Sequence, residues 1–216
     1  MHPSESTLAA DYDAYLNELV QVSGTIVQTD PVIIIAEYHY YAEGQAYAGT
    51  LMPDLLTHAF IAYTICTLLS WRYAWLAPTY VTVGMAGAFI PDLAKIGLVL
   101  HSVTVAVVLD LPFDWFGIHT LGGTLVGVLI GVTVAASPER RRVFVLLALG
   151  SASHLVADAL LVKASGRSYA VLWPLAQYYP PTPGLYLSTD IWPSLVTGLL
   201  AVVVWLARRR RTHASS

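Results

Sequence analysis

Long apolar stretches separated by short polar breaks dominate the sequence after about residue 52. Five of them predict helices, over residues 55–75, 78–91, 118–136, 143–162 and 191–207. A helix needs about 20 predominantly apolar residues to cross a membrane, and the second stretch is short because Pro91-Asp92 ends it. The pattern therefore predicts an all-α polytopic membrane protein with about five transmembrane helices.

Composition and charge favour the same architecture. Hydrophobic residues make up 56% of the chain and charged residues 12%, whereas about a quarter of a typical soluble domain is charged. Counting the apolar segment 93–116 as a sixth crossing would put Arg140–Arg142 and Arg208–Arg211 on opposite sides. Five crossings put both clusters on one side, as the positive-inside rule requires. The sequence thus predicts a multi-pass protein of the cell (cytoplasmic) membrane, with its amino terminus outside, its carboxyl terminus cytoplasmic, and 93–116 as an outer-surface or re-entrant piece.

The first 51 residues differ in composition from the rest of the chain, because they include several acidic residues and no Lys or Arg. Apolar and polar residues alternate around Val20–Ile26, and Thr29-Asp30-Pro31 forms a turn, which predicts a small β-meander of about three strands. The predicted organisation is an acidic, β-rich segment over 1–51, a helical domain over 52–207 and a basic cytoplasmic tail over 208–216. Both arginine clusters abut apolar stretches, so no direct nucleic-acid binding is expected. The single cysteine excludes a disulfide framework and a thiolate metal cage.

Candidate chemistry is concentrated in a few His and Asp residues at helix ends. His154 and Asp158 lie one turn apart in SASHLVADALL, so they share one face of a helix. An imidazole and a carboxylate are costly to bury in an apolar segment without a partner. The predicted topology brings three more such residues to the same side. The expected metal ligands are His58, Asp92, His119, His154 and Asp158, and this set without a thiolate suits Zn²⁺ first, with Mn²⁺ as the other choice.

Each residue also has a plainer interpretation. His154 and Asp158 can form a hydrogen-bonded pair, and Asp92 and His119 can cap helices. His58 can be an ordinary helix-start residue, with Asp54 as its N-cap or as an outer partner. His101 lies in the segment of least certain path and is less favoured as a ligand. The placement of all five candidates on one side favours a metal site.

Four sequence motifs carry a family resemblance. MPDLLTHAF, GAFIPD, GIHTLGG and SHLVADAL, the last followed by GRSYAVLWPL, resemble the inner-membrane-associated metal-dependent hydrolases described as LexA-binding. That family is distantly similar to zinc-dependent phospholipase C and P1 nuclease. The resemblance covers about 52–207. By order along the chain, it implies one zinc held by Asp92, His119, His154 and Asp158.

The same resemblance makes His58 a ligand of a second metal, bridged to the first by Asp158. Two features depart from the superfamily. No His…His-x-x-x-Glu set follows, and a ligating free amino terminus is impossible with 57 residues before His58. The resemblance, corrected for these departures, implies one or two ions.

The implied chemistry is metal-assisted hydrolysis, in which a bound divalent ion acidifies a water and polarises the scissile group. Asp92 or Asp158 would orient or deprotonate that water, so both are candidate catalytic residues. Lys163 and Arg167 would neutralise a phosphate, or else anchor the chain at an interface. The resemblance implies a phosphoester substrate, either a membrane lipid headgroup or another small molecule. The alternatives are a non-catalytic metal-stabilised membrane scaffold and an ion-binding or transport protein.

Overall fold

Helices form over all five predicted stretches. The computed structural model describes residues 53–111, 113–163 and 166–214, so the predicted β-meander lies outside the described residues. The α-helices are α1 (Pro53–Ser70), α2 (Pro78–Gly87), α3 (Ser102–Leu109), α4 (Leu121–Val134), α5 (Arg140–Asp158) and α6 (Trp192–Ala214). Three 3-10 helices span Pro91–Leu98, Trp115–His119 and Ser137–Glu139. In these described ranges, β-pairing is limited to isolated bridges, Leu161 with Tyr186 and Arg167 with Pro181.

The chain divides into two compact units. The larger one, here called the helical unit, comprises Met52–Ile96 and Trp115–Ser216, and the other comprises Met1–Leu51 and Gly97–Asp114. The apolar piece predicted over 93–116 is thus shared between the units, and its part in the second unit includes α3. The candidate ligands all belong to the helical unit.

The predicted membrane architecture is wrong. Among the described residues, no helix combines the length and the apolar character that a membrane crossing requires. Helix α2 has 10 residues and α4 has 14, well below the roughly 20 needed. Helix α5 begins with Arg140–Arg142, and α6 includes Arg208–Arg211 within its 23 residues. This finding overturns the predicted five-crossing topology, and with it the multi-pass cell-membrane location and the cytoplasmic tail that were predicted from it.

Helix directions within the helical unit bring the candidate ligands to one end. Helices α1 and α6 are parallel, since Thr57 Oγ1 lies 2.9 Å from Ser194 Oγ near their starts and Arg211 covers the ring of Trp71 near their ends. Helix α5 packs against α1, α2 and α4. The start of α1, the end of α2, the start of α4 and the end of α5 consequently meet. Seven of the arginines lie at the opposite end, in Arg140–Arg142 and Arg208–Arg211.

Glycines allow α2 and α5 to pack backbone against backbone. A Cβ added at Gly87 would lie 2.4 Å from the Leu147 carbonyl oxygen, and one added at Gly150 would lie 2.0 Å from the Gly84 carbonyl oxygen. Ser151 on α5 also joins the two helices, because its Oγ donates a hydrogen bond of 2.8 Å to the Gly87 carbonyl of α2. This contact fixes the end of α2 against the part of α5 that carries His154.

Candidate metal centre

The five predicted ligands converge at the end of the helical unit. His58 lies on the first turns of α1, Asp92 near the start of the 3-10 helix Pro91–Leu98, and His119 at the end of Trp115–His119, while His154 and Asp158 lie on the last turns of α5. His58 and His154 are fully buried, and Asp92, His119 and Asp158 are each 8% exposed. Thr120, the N-cap of α4, accepts a hydrogen bond from the Gly123 amide, which starts the helix directly after His119.

Three of the candidate ligands lie close to the spacing of a tetrahedral zinc site. His119 Nε2 lies 3.2 Å from His154 Nε2 and 2.9 Å from Asp158 Oδ2. His154 Nε2 lies 3.5 Å from the same carboxylate oxygen. Zinc bonds of about 2.0–2.2 Å place neighbouring ligand atoms about 3.3–3.6 Å apart. Asp92 Oδ1, at 3.9 Å from His154 Nε2, is placed to complete the set.

Asp158 faces two groups of side chains. Its Oδ2 lies against His119 and His154, and its Oδ1 lies 3.1 Å from His58 Nε2. Asp54 Oδ1 approaches the same His58 nitrogen to 3.2 Å. Asp158 would therefore be able to contribute to the binding of one or two cations, together with the histidines on either side of it. Asp54 contacts His58 directly, as its position one helical turn earlier allowed, although the sequence alone did not favour it as a ligand.

Several buried atoms of this cluster have no hydrogen-bond partner among the described residues: Asp54 Oδ1, His58 Nδ1, His58 Nε2, Asp92 Oδ2, His119 Nδ1 and Asp158 Oδ1. His58 Nε2 is close to two carboxylate oxygens, yet these contacts do not have hydrogen-bond geometry. Buried polar atoms in native proteins are nearly always satisfied. Bound divalent cations would satisfy the carboxylate oxygens and His58 Nε2, so the residues present fit a metal centre.

The ring of His154 is oriented for metal binding by the end of α2. Its Nδ1 lies 2.8 Å from the Ala88 carbonyl oxygen. Because a carbonyl only accepts hydrogen bonds, Nδ1 carries the proton and donates it. In the neutral ring, Nε2 then presents its lone pair to the cluster. A histidine that donates its other nitrogen to a backbone carbonyl is the usual arrangement at protein metal sites.

Protonation is altered within the cluster. Burial opposes a charge on His58, but the carboxylates of Asp158 and Asp54 outweigh it and raise the pKa of His58 to about 9. Burial also opposes ionisation of Asp158, but the neighbouring imidazoles of His119, His154 and His58 hold the pKa of Asp158 well below its ordinary range. Without metal, the cluster therefore keeps an anionic Asp158 beside a protonated His58.

This pairing predicts a pH-dependent stability of the metal-free protein. The pKa of His58 rises from 6.5 to about 9 on folding, so the stabilisation is fully present below pH 6.5 and is lost as pH rises through 9. Urea unfolding in the presence of a chelator should show a loss of about 3 kcal/mol over this window. His58→Gln should flatten the profile, and a wild-type profile as flat as that of the variant would contradict the prediction.

The predicted substrate-binding residues differ in their relation to the cluster. Lys163 Nζ lies 4.5 Å from the centre of the Tyr169 ring, and this ring lies 6.1 Å from that of His119, so Lys163 approaches the centre through Tyr169. Arg167 is exposed, and its backbone is bridged to Pro181. Their roles toward a substrate stay predictions. His101 lies in the other unit, immediately before α3, and belongs to no candidate metal group of the described residues.

Sequence reasoning missed Lys95. Its Nζ lies 2.7 Å from Asp92 Oδ1, which makes it a direct neighbour of a candidate ligand. The available signal was the spacing of three residues, which brings two side chains together in a 3-10 helix.

No protein-family model, no curated protein and no solved structure matches the chain. The resemblance to LexA-binding metal-dependent hydrolases therefore stays a prediction. The case for a metal centre rests on the geometry of the cluster.

Proposed function

We propose that this protein is a metal-dependent hydrolase that cleaves a phosphoester with one or two divalent ions, zinc first and manganese second. The observation that carries the proposal is the convergence of buried His and Asp side chains whose ligand atoms lie within 4.8 Å of one another. Other nitrogen and carboxylate-oxygen atoms of the same cluster are buried without hydrogen-bond partners among the described residues. A donor set of imidazoles and carboxylates is typical of catalytic zinc sites, whereas structural zinc sites are usually rich in Cys.

The residues have separable roles in this proposal. Asp92, His119, His154 and Asp158 would hold one ion, and His58 with Asp54 and the second oxygen of Asp158 would hold another. A bound ion of this kind supplies an acidified water and polarises the phosphoryl group. Asp92 and Asp158 are the bases available to orient that water or accept its proton.

The test is hydrolysis by the purified protein. We expect the wild type to carry zinc or manganese and to turn over at least one compound in a panel of phosphomonoesters and phosphodiesters. Asp158→Asn should lose about 10²–10⁴-fold in turnover, the range typical of a missing acid–base group, because an amide is a poor ligand and a poor base.

The matched control for this test is Asp110→Asn, the same exchange in the other unit. Asp110 has a left-handed backbone conformation with φ 52°, which asparagine tolerates. A variant Asp158→Asn that is as active as the wild type would overturn the catalytic proposal.

A metal-stabilised scaffold is the second candidate, and the burial of the cluster favours it. The five predicted ligands are at most 8% exposed, and the rings of His58 on α1 and His154 on α5 stack with their centroids 3.7 Å apart. A metal there would join helices regardless of catalysis. Metal removal that lowers the melting temperature, together with no hydrolysis across the panel, would favour this function.

A further inference from the structure

Lys95 forms an ion pair with Asp92, one of the candidate ligands of the cluster. It lies three residues after Asp92 in the 3-10 helix Pro91–Leu98. Because a 3-10 helix has three residues per turn, side chains at this spacing lie directly above one another. The result is a contact of 2.7 Å between Lys95 Nζ and Asp92 Oδ1. The local backbone thus fixes the ammonium beside a candidate metal ligand.

The pair extends from the buried cluster to the surface. The Asp92 side chain is 6% exposed, and that of Lys95 is 30% exposed. A lysine ammonium has three N–H donors, and Asp92 Oδ1 takes one of them. The remaining donors can reach a group that approaches the cluster from solvent. Asp92 thereby positions a positive charge at the margin of the centre.

The distribution of the other cations makes this position informative. Arg140–Arg142 begin α5, whereas His154 and Asp158 lie at its other end. Arg141 and His154 are 13 residues apart on this helix, which corresponds to about 20 Å. At the ligand end, Lys163 contacts Tyr169, while Lys95 contacts the cluster itself. A positive charge in contact with a ligand is the feature that recognition of an anion beside a metal requires.

We propose that Lys95 is an anion-binding residue of this site, whose ammonium, held by Asp92, binds a phosphoryl oxygen of the substrate and of the phosphate product. The inference rests on the proposed function and adds to it a residue that binds the substrate. It also specifies the substrate class further, as a compound with an anionic phosphoryl oxygen near the metal.

Inorganic phosphate is the probe that tests this role without turnover. Its affinity for the zinc-loaded protein would be measured by calorimetry for the wild type, Lys95→Gln, Lys95→Arg and Arg141→Gln. Loss of one charge-assisted contact should weaken phosphate binding about 10- to 100-fold in Lys95→Gln. Lys95→Arg should keep most of the affinity because it keeps the charge. Arg141→Gln removes the same charge from the far end of α5 and should bind phosphate as the wild type does.

Zinc affinity, measured in parallel by chelator competition, separates binding from positioning. We expect Lys95→Gln to hold zinc within a few-fold of the wild type. If zinc affinity instead falls 10- to 100-fold, as on loss of an outer partner of a ligand, while phosphate binding per bound zinc is unchanged, Lys95 only orients Asp92 and the inference is overturned. Equal phosphate affinity in wild type and Lys95→Gln overturns it as well. A wild type that binds no zinc would overturn the proposed function itself.

Discussion

Replacement of His154 by alanine is expected to abolish tight zinc binding. The Nε2 atom of His154 lies within 4 Å of His119 Nε2, Asp158 Oδ2 and Asp92 Oδ1, so it is the common neighbour of the proposed ligands. Loss of an outer partner of a metal ligand already costs about 10- to 100-fold in affinity, and loss of a ligand should cost more than ~100-fold. Chelator competition with purified protein measures this change.

The matched control is His101→Ala, which removes a histidine of the other unit and should leave zinc affinity unchanged. Circular dichroism of both variants would establish that the helices persist, because His154 is fully buried and its removal leaves a cavity. Retention of wild-type zinc affinity by a folded His154→Ala protein would remove the central ligand from the model of the site.

Replacement of Gly150 by alanine is expected to lower the stability strongly, although it removes no chemical group. The new Cβ would lie 2.0 Å from the Gly84 carbonyl oxygen and 2.8 Å from the Ala88 amide nitrogen. Both are backbone atoms, so α2 and α5 must separate. Overpacking typically lowers the free energy of unfolding by about 1–3 kcal/mol. Because the new contact is with rigid backbone, we expect a loss of about 3 kcal/mol for Gly150→Ala. Urea unfolding of the metal-free protein measures it.

Gly117→Ala is the control, since a Cβ there meets no heavy atom within 4 Å. The same separation of helices should also move the Ala88 carbonyl away from His154 Nδ1, so Gly150→Ala should lower zinc affinity although Gly150 has no side chain that could be a ligand. An unfolding midpoint equal to that of the wild type would show that α2 and α5 adapt to the added methyl group.

The helical segments and the pairing of His154 with Asp158 could be predicted from the sequence because both depend on local patterns, whereas the convergence of His58, Asp92 and His119 with them was predicted from a membrane topology that is wrong. The apolar runs determine where helices form, and the four-residue spacing of His154 and Asp158 places both on one face of α5. The membrane prediction failed because two of the helices are shorter than the apolar stretches that predicted them. Helix α2 ends at Gly87, before Pro91, and residues Trp115–His119 form a 3-10 helix ahead of α4, while the arginine clusters lie inside the helices α5 and α6.

The remaining parts of the site depend on features that a sequence pattern does not specify. Asp54 is one turn before His58, a spacing equally suited to a helix cap and to a contact with the ring. Lys95 meets Asp92 because Pro91–Leu98 is a 3-10 helix; in an extended loop the same two residues would diverge. The Ala88 carbonyl reaches His154 only because glycines let α2 and α5 approach closely.

The charges on α5 are reversed relative to its backbone dipole. Three arginines occupy its first turn, where the partial charge is positive, and Asp158 occupies its last position, where the partial charge is negative. Each such charge costs about 0.3–1 kcal/mol at an exposed terminus. A divalent cation held by Asp158 would make the net charge at the carboxyl end of α5 positive, which the helix dipole favours. Metal binding would therefore also stabilise the helix that carries two of the candidate ligands.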